Sequence, residues 1–243
     1  MNRGIGVTET LRETLPEWTV PVFELLSLPG DLLVIVPLLG LLYLRDVIGS
    51  LGHTVVTGED GSLCSDRTAF LIATVFGGLA LVVLLKAVFS APRPPAPLHA
   101  TAPSEYGFPS GHTMAATITW GAIGLWTTVG HRYSRYGVAA LFVSIVALSR
   151  LALGVHYLAD VLASVVFGVT FLAVFARITD ERPSRAFVVA VGIAVLAALV
   201  SDGSGRSLLA LAGTASAGIG WWVLERPPIR RRLVRTVREQ QSY

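Results

Sequence analysis

Residues 68–89 read TAFLIATVFGGLALVVLLKAVF, eighteen residues without a charge before Lys86 breaks the run. About 20 helical residues cross the ~30 Å hydrocarbon core of a bilayer, so this stretch has the length of a membrane span. Six more apolar runs lie on either side of it, at about 26–44, 112–129, 136–151, 156–176, 186–200 and 207–224. Their length and their alanine and leucine content favour helix over strand, since lipid tolerates only helices or closed barrels. Several are short, and tilt or local bilayer thinning would accommodate them. The whole chain agrees: 53% of its 243 residues are hydrophobic and 14% charged, against about 25% charged in an ordinary soluble domain. That balance excludes a disordered chain and a typical cytosolic enzyme. The net charge of +3 sits on basic residues scattered between apolar runs, so no nucleic-acid partner is expected. A single cysteine, Cys64, excludes an intrachain disulfide framework and a cysteine-rich zinc site. The expected fold is all-α, a polytopic transmembrane bundle of about six to seven spans, with no internal repeat.

Three regions are expected along the chain. Residues 1–25 carry Glu9, Glu13 and Glu17 among Leu11, Leu15, Trp18 and Phe23; this fits an amphipathic segment at the membrane surface rather than a cleavable signal peptide. Residues 26–224 form the membrane-embedded domain, with a polar loop over 57–67, and 225–243 form a basic tail (RRRLVR) suited to anionic lipid. With seven spans, thirteen arginines fall on the face that carries the C-terminus. Arg3, Arg12 and Arg206 fall on the other, once Lys86, Arg93 and Arg150 are set aside. The positive-inside rule then places the C-terminal face in the cytoplasm, with Trp126, Trp221 and Trp222 as an aromatic belt on that side.

Lys86, Arg150 and Asp160 lie in or beside apolar runs, where a charge costs roughly 2.5–3.5 kcal/mol on insertion scales and marks function by default. Snorkelling to the headgroups is the plain alternative for Lys86 and Arg150. Three clusters, however, fall on one expected face: Lys86 with Arg93-Pro94; Pro109-Ser110-Gly111-His112; and Ser149-Arg150 with Gly154, His156 and Asp160. A transferring phosphoryl group carries charge on its equatorial oxygens, and its catalysis is mainly positioning and electrostatic stabilisation. Arginine forks, a compact ammonium, a hydroxyl and a glycine at a helix start supply those needs. Lys86 is the only lysine among 19 basic residues, consistent with a site that wants a point charge. His156 and Asp160 are four apart, within reach on a helix. A carboxylate on one ring nitrogen fixes the tautomer and leaves the other free to attack. His112, from another span, is placed to act as general acid. No Cys or Asp cluster suggests a metal site.

KAVFSAPRP (86–94), PSGH (109–112) and SRLALGVHYLAD (149–160) match the three-part signature KxxxxxxRP, PSGH and SRxxxGxHxxxD. In these residues the chain resembles the type-2 phosphatidic acid phosphatase superfamily, over about residues 68–176. PSGH alone is also readable as a turn with an N-capping serine; three motifs in order are not so easily dismissed. The resemblance implies His156 as the nucleophile forming a phosphohistidine, oriented by Asp160. It implies that His112 protonates the leaving group and then activates water. It implies Lys86, Arg93, Ser110, Gly111 and Arg150 as phosphate-binding residues, with no metal or organic cofactor.

The expected activity is therefore a membrane phosphatase hydrolysing a lipid phosphomonoester or pyrophosphate, with the site on the extracytoplasmic face and membrane lipids as surroundings. Alternatives are a transferase handing the group to a lipid alcohol, a vanadate-dependent haloperoxidase, and a transporter or scaffold whose charges line a path. Lipid preference and oligomeric state are open. His53, His99 and His131 are expected as solvated loop residues, with contact between His99 and the substrate headgroup a minor alternative. Glu105, Tyr106 and Phe108 sit where they could shape an entrance or simply pack the loop. Asp31 is expected as an N-terminal helix charge, and the small residues of 210–220 as a close-packing helix face.

Overall fold

The computed structural model describes residues 3–57, 61–103 and 106–241. It is helical, with no strand among the described residues. Two short helices, α1 (Ile5–Thr14) and α2 (Val20–Ser27), precede α3 (Leu32–Thr57). A bundle follows, of α4 (Asp66–Phe89), α5 (Gly111–Trp126), α6 (Arg132–Ala152), α7 (Leu158–Thr179), α8 (Pro183–Val200) and α9 (Gly205–Leu224). The chain ends on α10 (Pro227–Gln241). Among the described residues, six segments are long and apolar enough to cross a membrane: Glu17–Thr54, α4, α6, α7, α8 and α9. This is an integral membrane protein.

Helix α4 is the axis of the bundle and packs against α5, α7, α8 and α9. Small residues let it do so. A Cβ built on Gly77 would stand 3.1 Å from the Ala190 Cβ of α8, and one on Gly78 only 2.7 Å from Ile118 of α5. Without water to drive apolar contacts, such close backbone approach is what holds membrane helices together. The core then closes around Phe70, Ile118, Phe171, Phe175 and Phe187. The glycine- and alanine-rich face of α9 packs as expected, Gly213 against Phe76 and Gly218 against Phe187.

Most expected spans reappear with ends moved by a few residues, and two differ in kind. The run 26–44 is broken by Leu28-Pro29-Gly30, a 3-10 turn. Asp31 then starts α3 by accepting from the Leu33 N–H at 2.8 Å, and the helix runs on to Thr57. His53 therefore sits in a helix, not in a loop. Helix α5, at 16 residues, is shorter than a full span, and most of its residues are buried among its neighbours. It still runs the length of the bundle, from Gly111 beside Lys86 to Trp126, which meets Phe70 near the start of α4 edge-on at 4.8 Å. The helices alternate in direction, so the ends of α4 and α6 and the starts of α5 and α7 share one end.

Candidate active site

The three motifs arrive at that shared end from different elements. Helix α4 brings Lys86 in its last turn and stops at Ser90, a left-handed residue whose N–H closes on the Lys86 carbonyl. The proline-rich segment that follows carries Arg93. Ser110 stands at the N-cap position of α5 without a side-chain capping bond and is fully buried; its amide faces the Asp160 carbonyl at 3.4 Å, and its own carbonyl accepts from the Ser164 hydroxyl at 3.1 Å. Gly111 and His112 open α5, where free backbone N–H groups favour an anion. The Lys86 stem lies against Gly111, 3.2 Å from where a Cβ would stand, and its ammonium donates to the Tyr106 carbonyl at 2.8 Å.

Helix α6 carries Arg150 in its last turn, where it is 8% exposed. The next turn needs a glycine. Gly154 has φ +73°, and a Cβ there would lie 1.8 Å from the Leu98 carbonyl oxygen; no other residue fits. That turn delivers His156 into the interior, 1% exposed. Its Nε2 faces Arg93 Nη1 at 3.2 Å, and its Nδ1 lies 3.4 Å from Asp160 Oδ2. Because the guanidinium can only donate, Nε2 must hold the lone pair and Nδ1 the proton. The nitrogen that holds the lone pair thus faces Arg93. Burial holds His156 well below its ordinary pKa, reinforced by the charges of Arg93, Lys86, Arg150 and His112, so the ring is neutral. The same two causes act on Arg93: burial first, then the Arg150 charge, bring its guanidinium down to about 10.

The His156–Asp160 pair forms for a different reason from the helical one expected. His156 precedes α7, and Asp160 sits in its first turn, where its carboxylate folds back to accept from the Tyr157 N–H at 3.0 Å. This is a capping box, and it aims the carboxylate out of the helix start at the imidazole.

Lys86, Arg93, Ser110, Gly111, His112, Arg150, His156 and Asp160 all lie at this end. Four further contributors were not anticipated. Arg3 reaches Asp160 Oδ1 at 3.4 Å, donates to the Pro92 carbonyl and lies 4.1 Å over the Tyr157 ring. The Thr8 hydroxyl donates to the His156 carbonyl at 3.0 Å. Asp31 meets His112 Nε2 at 3.1 Å, and Gly30 lies directly under the His112 carbonyl. No local pattern announces them; they matter only through where α1 and the 28–31 turn dock. His99 turns away to the Pro94 carbonyl at 2.8 Å, Phe108 packs edge-on against Phe89 and Phe167, and Glu105 lies outside the described residues. Among the described residues no group of three His, Cys, Asp or Glu is placed to hold a metal ion.

A cavity of about 870 Å³ opens at the opposite end, lined by Arg45, Asp46, His53 and Arg67. His112, His156 and the buried Arg150 are at the other end. Cys64, beside it, is a buried free thiol whose pKa is pushed up by burial and by Asp46 and Glu225. Of the three belt tryptophans, Trp126 and Trp221 pack on phenylalanines, while Trp222 is exposed under the Arg226 guanidinium at 3.5 Å.

An integral membrane bundle with two histidines and a cluster of cations at one end is the architecture in hand. Residues 67–184, just under half of the chain, match the PAP2 superfamily, and the matched segment carries all three motifs. Over 113 residues the chain is 28% identical to lipid phosphate phosphatase delta of Arabidopsis thaliana, covering 40% of this chain and 27% of that protein. The chain thus spans about a quarter of the length of that curated relative. Among solved structures, its fold is similar to that of a transmembrane PAP2 type phosphatidylglycerolphosphate phosphatase from Bacillus subtilis. The TM-score is 0.56 at 22% identity, over 70% of this chain and 81% of the other.

Proposed function

We propose that this chain is a membrane phosphatase that hydrolyses a lipid phosphomonoester or pyrophosphate through a phosphohistidine on His156. One observation carries the reading. Arg150 is buried and, like Lys86, has no carboxylate within 4 Å among the described residues, and both stand near a neutral histidine. A buried charge left unpaired costs several kcal/mol, so a site of this kind is completed by an anion. The superfamily assignment and the lipid phosphate phosphatase relative support the same choice of anion.

In this reading the phosphate oxygens lie among Lys86, Arg93, Arg150 and the amides at the start of α5, with Ser110 at its cap. His156 Nε2 attacks phosphorus, forming the N–P bond as the bond to the leaving oxygen breaks. The Nδ1 proton stays on the ring, and its charge is offset by Asp160. His112 gives a proton to the leaving oxygen, then takes one from the water that cleaves the N–P bond. The chemistry needs no metal. The positive-inside argument places the site on the extracytoplasmic side, where a lipid headgroup enters from the outer leaflet.

The test is phosphate release by purified protein from a panel of lipid phosphates and pyrophosphates, with and without a chelator. His156→Ala should lower turnover by a factor on the order of 10⁴ or more. Turnover that survives this change, or transfer to an added lipid alcohol without phosphate release, would overturn the proposal.

A further inference from the structure

Asp31 does two things with its two oxygens. Oδ1 accepts from the Leu33 N–H and starts α3; Oδ2 accepts from His112 Nε2–H at 3.1 Å. The turn that presents it is built for close approach. The Trp120 indole of α5 donates to the Pro29 carbonyl at 3.0 Å. A Cβ on Gly30 would lie 2.3 Å from the His112 carbonyl oxygen, so only glycine lets the turn seat there. The contact is therefore made by a docked turn and not by a wandering surface side chain.

We propose that Asp31 is a positioning residue for His112: its carboxylate binds Nε2–H, fixes the ring and balances the charge His112 carries as an acid, leaving Nδ1 to face the leaving oxygen. This rests on the reading of His112 as the proton donor. The need for such a carboxylate follows from the surroundings. Lys86 and Arg150 both act on His112, and a protonated imidazole among cations requires a nearby negative charge. Asp160 is committed to His156, Tyr157 and Arg3. Asp31 lies outside residues 67–184, so it comes from a part of the chain that the family match does not reach.

Asp31→Asn separates this role from helix capping, because asparagine caps as well as aspartate. Two substrates read the proton donor. Phosphatidic acid expels an alkoxide that needs a proton; 4-nitrophenyl phosphate expels a phenolate that does not. In Asp31→Asn, kcat/KM should fall at least about tenfold further on phosphatidic acid than on 4-nitrophenyl phosphate, in proportion to the general-acid effect. Asp31→Glu should recover part of the loss. An equal loss on both substrates, or none on either, overturns the role of Asp31 while His156→Ala remains inactive. If His156→Ala stays active, the reading of the site falls and this proposal with it.

Discussion

The stretch from α4 to α7 and the flank from Arg3 to Asp31 meet at one site and bring it different things. The first supplies every group proposed to touch the reacting phosphate (Lys86, Arg93, the α5 start, Arg150 and both histidines) together with Asp160 behind His156. The second supplies partners for those groups. Arg3 holds the outer oxygen of Asp160, Thr8 holds the His156 carbonyl, and Asp31 holds His112. Changes in the two regions should consequently differ in kind: in α4–α7 they remove chemistry, and in the flank they loosen geometry.

The sharpest contrast after His156→Ala is Arg150→Met. Methionine fills the volume without a charge, and replacing a buried charge by an apolar group is often neutral or stabilising. Activity on lipid phosphate should fall roughly 10²–10³-fold as one oxyanion donor is lost, while the thermal midpoint in detergent holds or rises. A lower midpoint would mean that Arg150 is structural. Gly154→Ala comes next. The added methyl meets the Leu98 carbonyl, so the turn carrying His156 must shift, and a displacement near 1 Å costs on the order of 10²-fold in rate. Normal kcat with an unchanged fold would show that the turn's position is not critical.

Burial of neutral His156 also has a stability signature. Its pKa in the fold lies well below 6.5, so below pH 6.5 the unfolded chain takes up a proton that the folded site refuses. Stability should fall as pH drops from 6.5 toward the folded value, by at most about 1.4 kcal/mol per pH unit. His156→Gln should remove that slope from the thermal midpoint measured between pH 7.5 and 5.5; an unchanged slope would place the neutral ring elsewhere.

The two regions also differ in how much the sequence revealed. Apolar length announces α4 and α6–α9, and the three motifs announce the α4–α7 part of the site, because each needs a particular residue type at a short spacing. The flank is quiet because its roles are long-range. Arg3 reads as one more basic residue and Thr8 as one more polar helix position, yet each meets a residue more than 140 positions away. Asp31 reads as a charge at a helix start, and one of its oxygens does accept there; the other finds His112 only once Gly30 and Trp120 have docked the turn. Even the expected His156–Asp160 pair rests on a capping box and not on a helical face.

The smallest effect belongs to Thr8→Val, which keeps the shape and deletes one hydrogen bond to the His156 carbonyl. The site loses about 1 kcal/mol of restraint on the turn, and Arg3 and Gly154 still hold it. Turnover should drop only a few-fold, with KM unchanged because Thr8 touches no phosphate ligand. Arg3→Gln, which removes a charge beside Asp160, should cost more than Thr8→Val and far less than Arg150→Met. If the double variant fell by much more than the product of the single losses, α1 would be acting as one clamp on the His156–Asp160 pair. A multiplicative loss would mean that its two contacts restrain the pair independently.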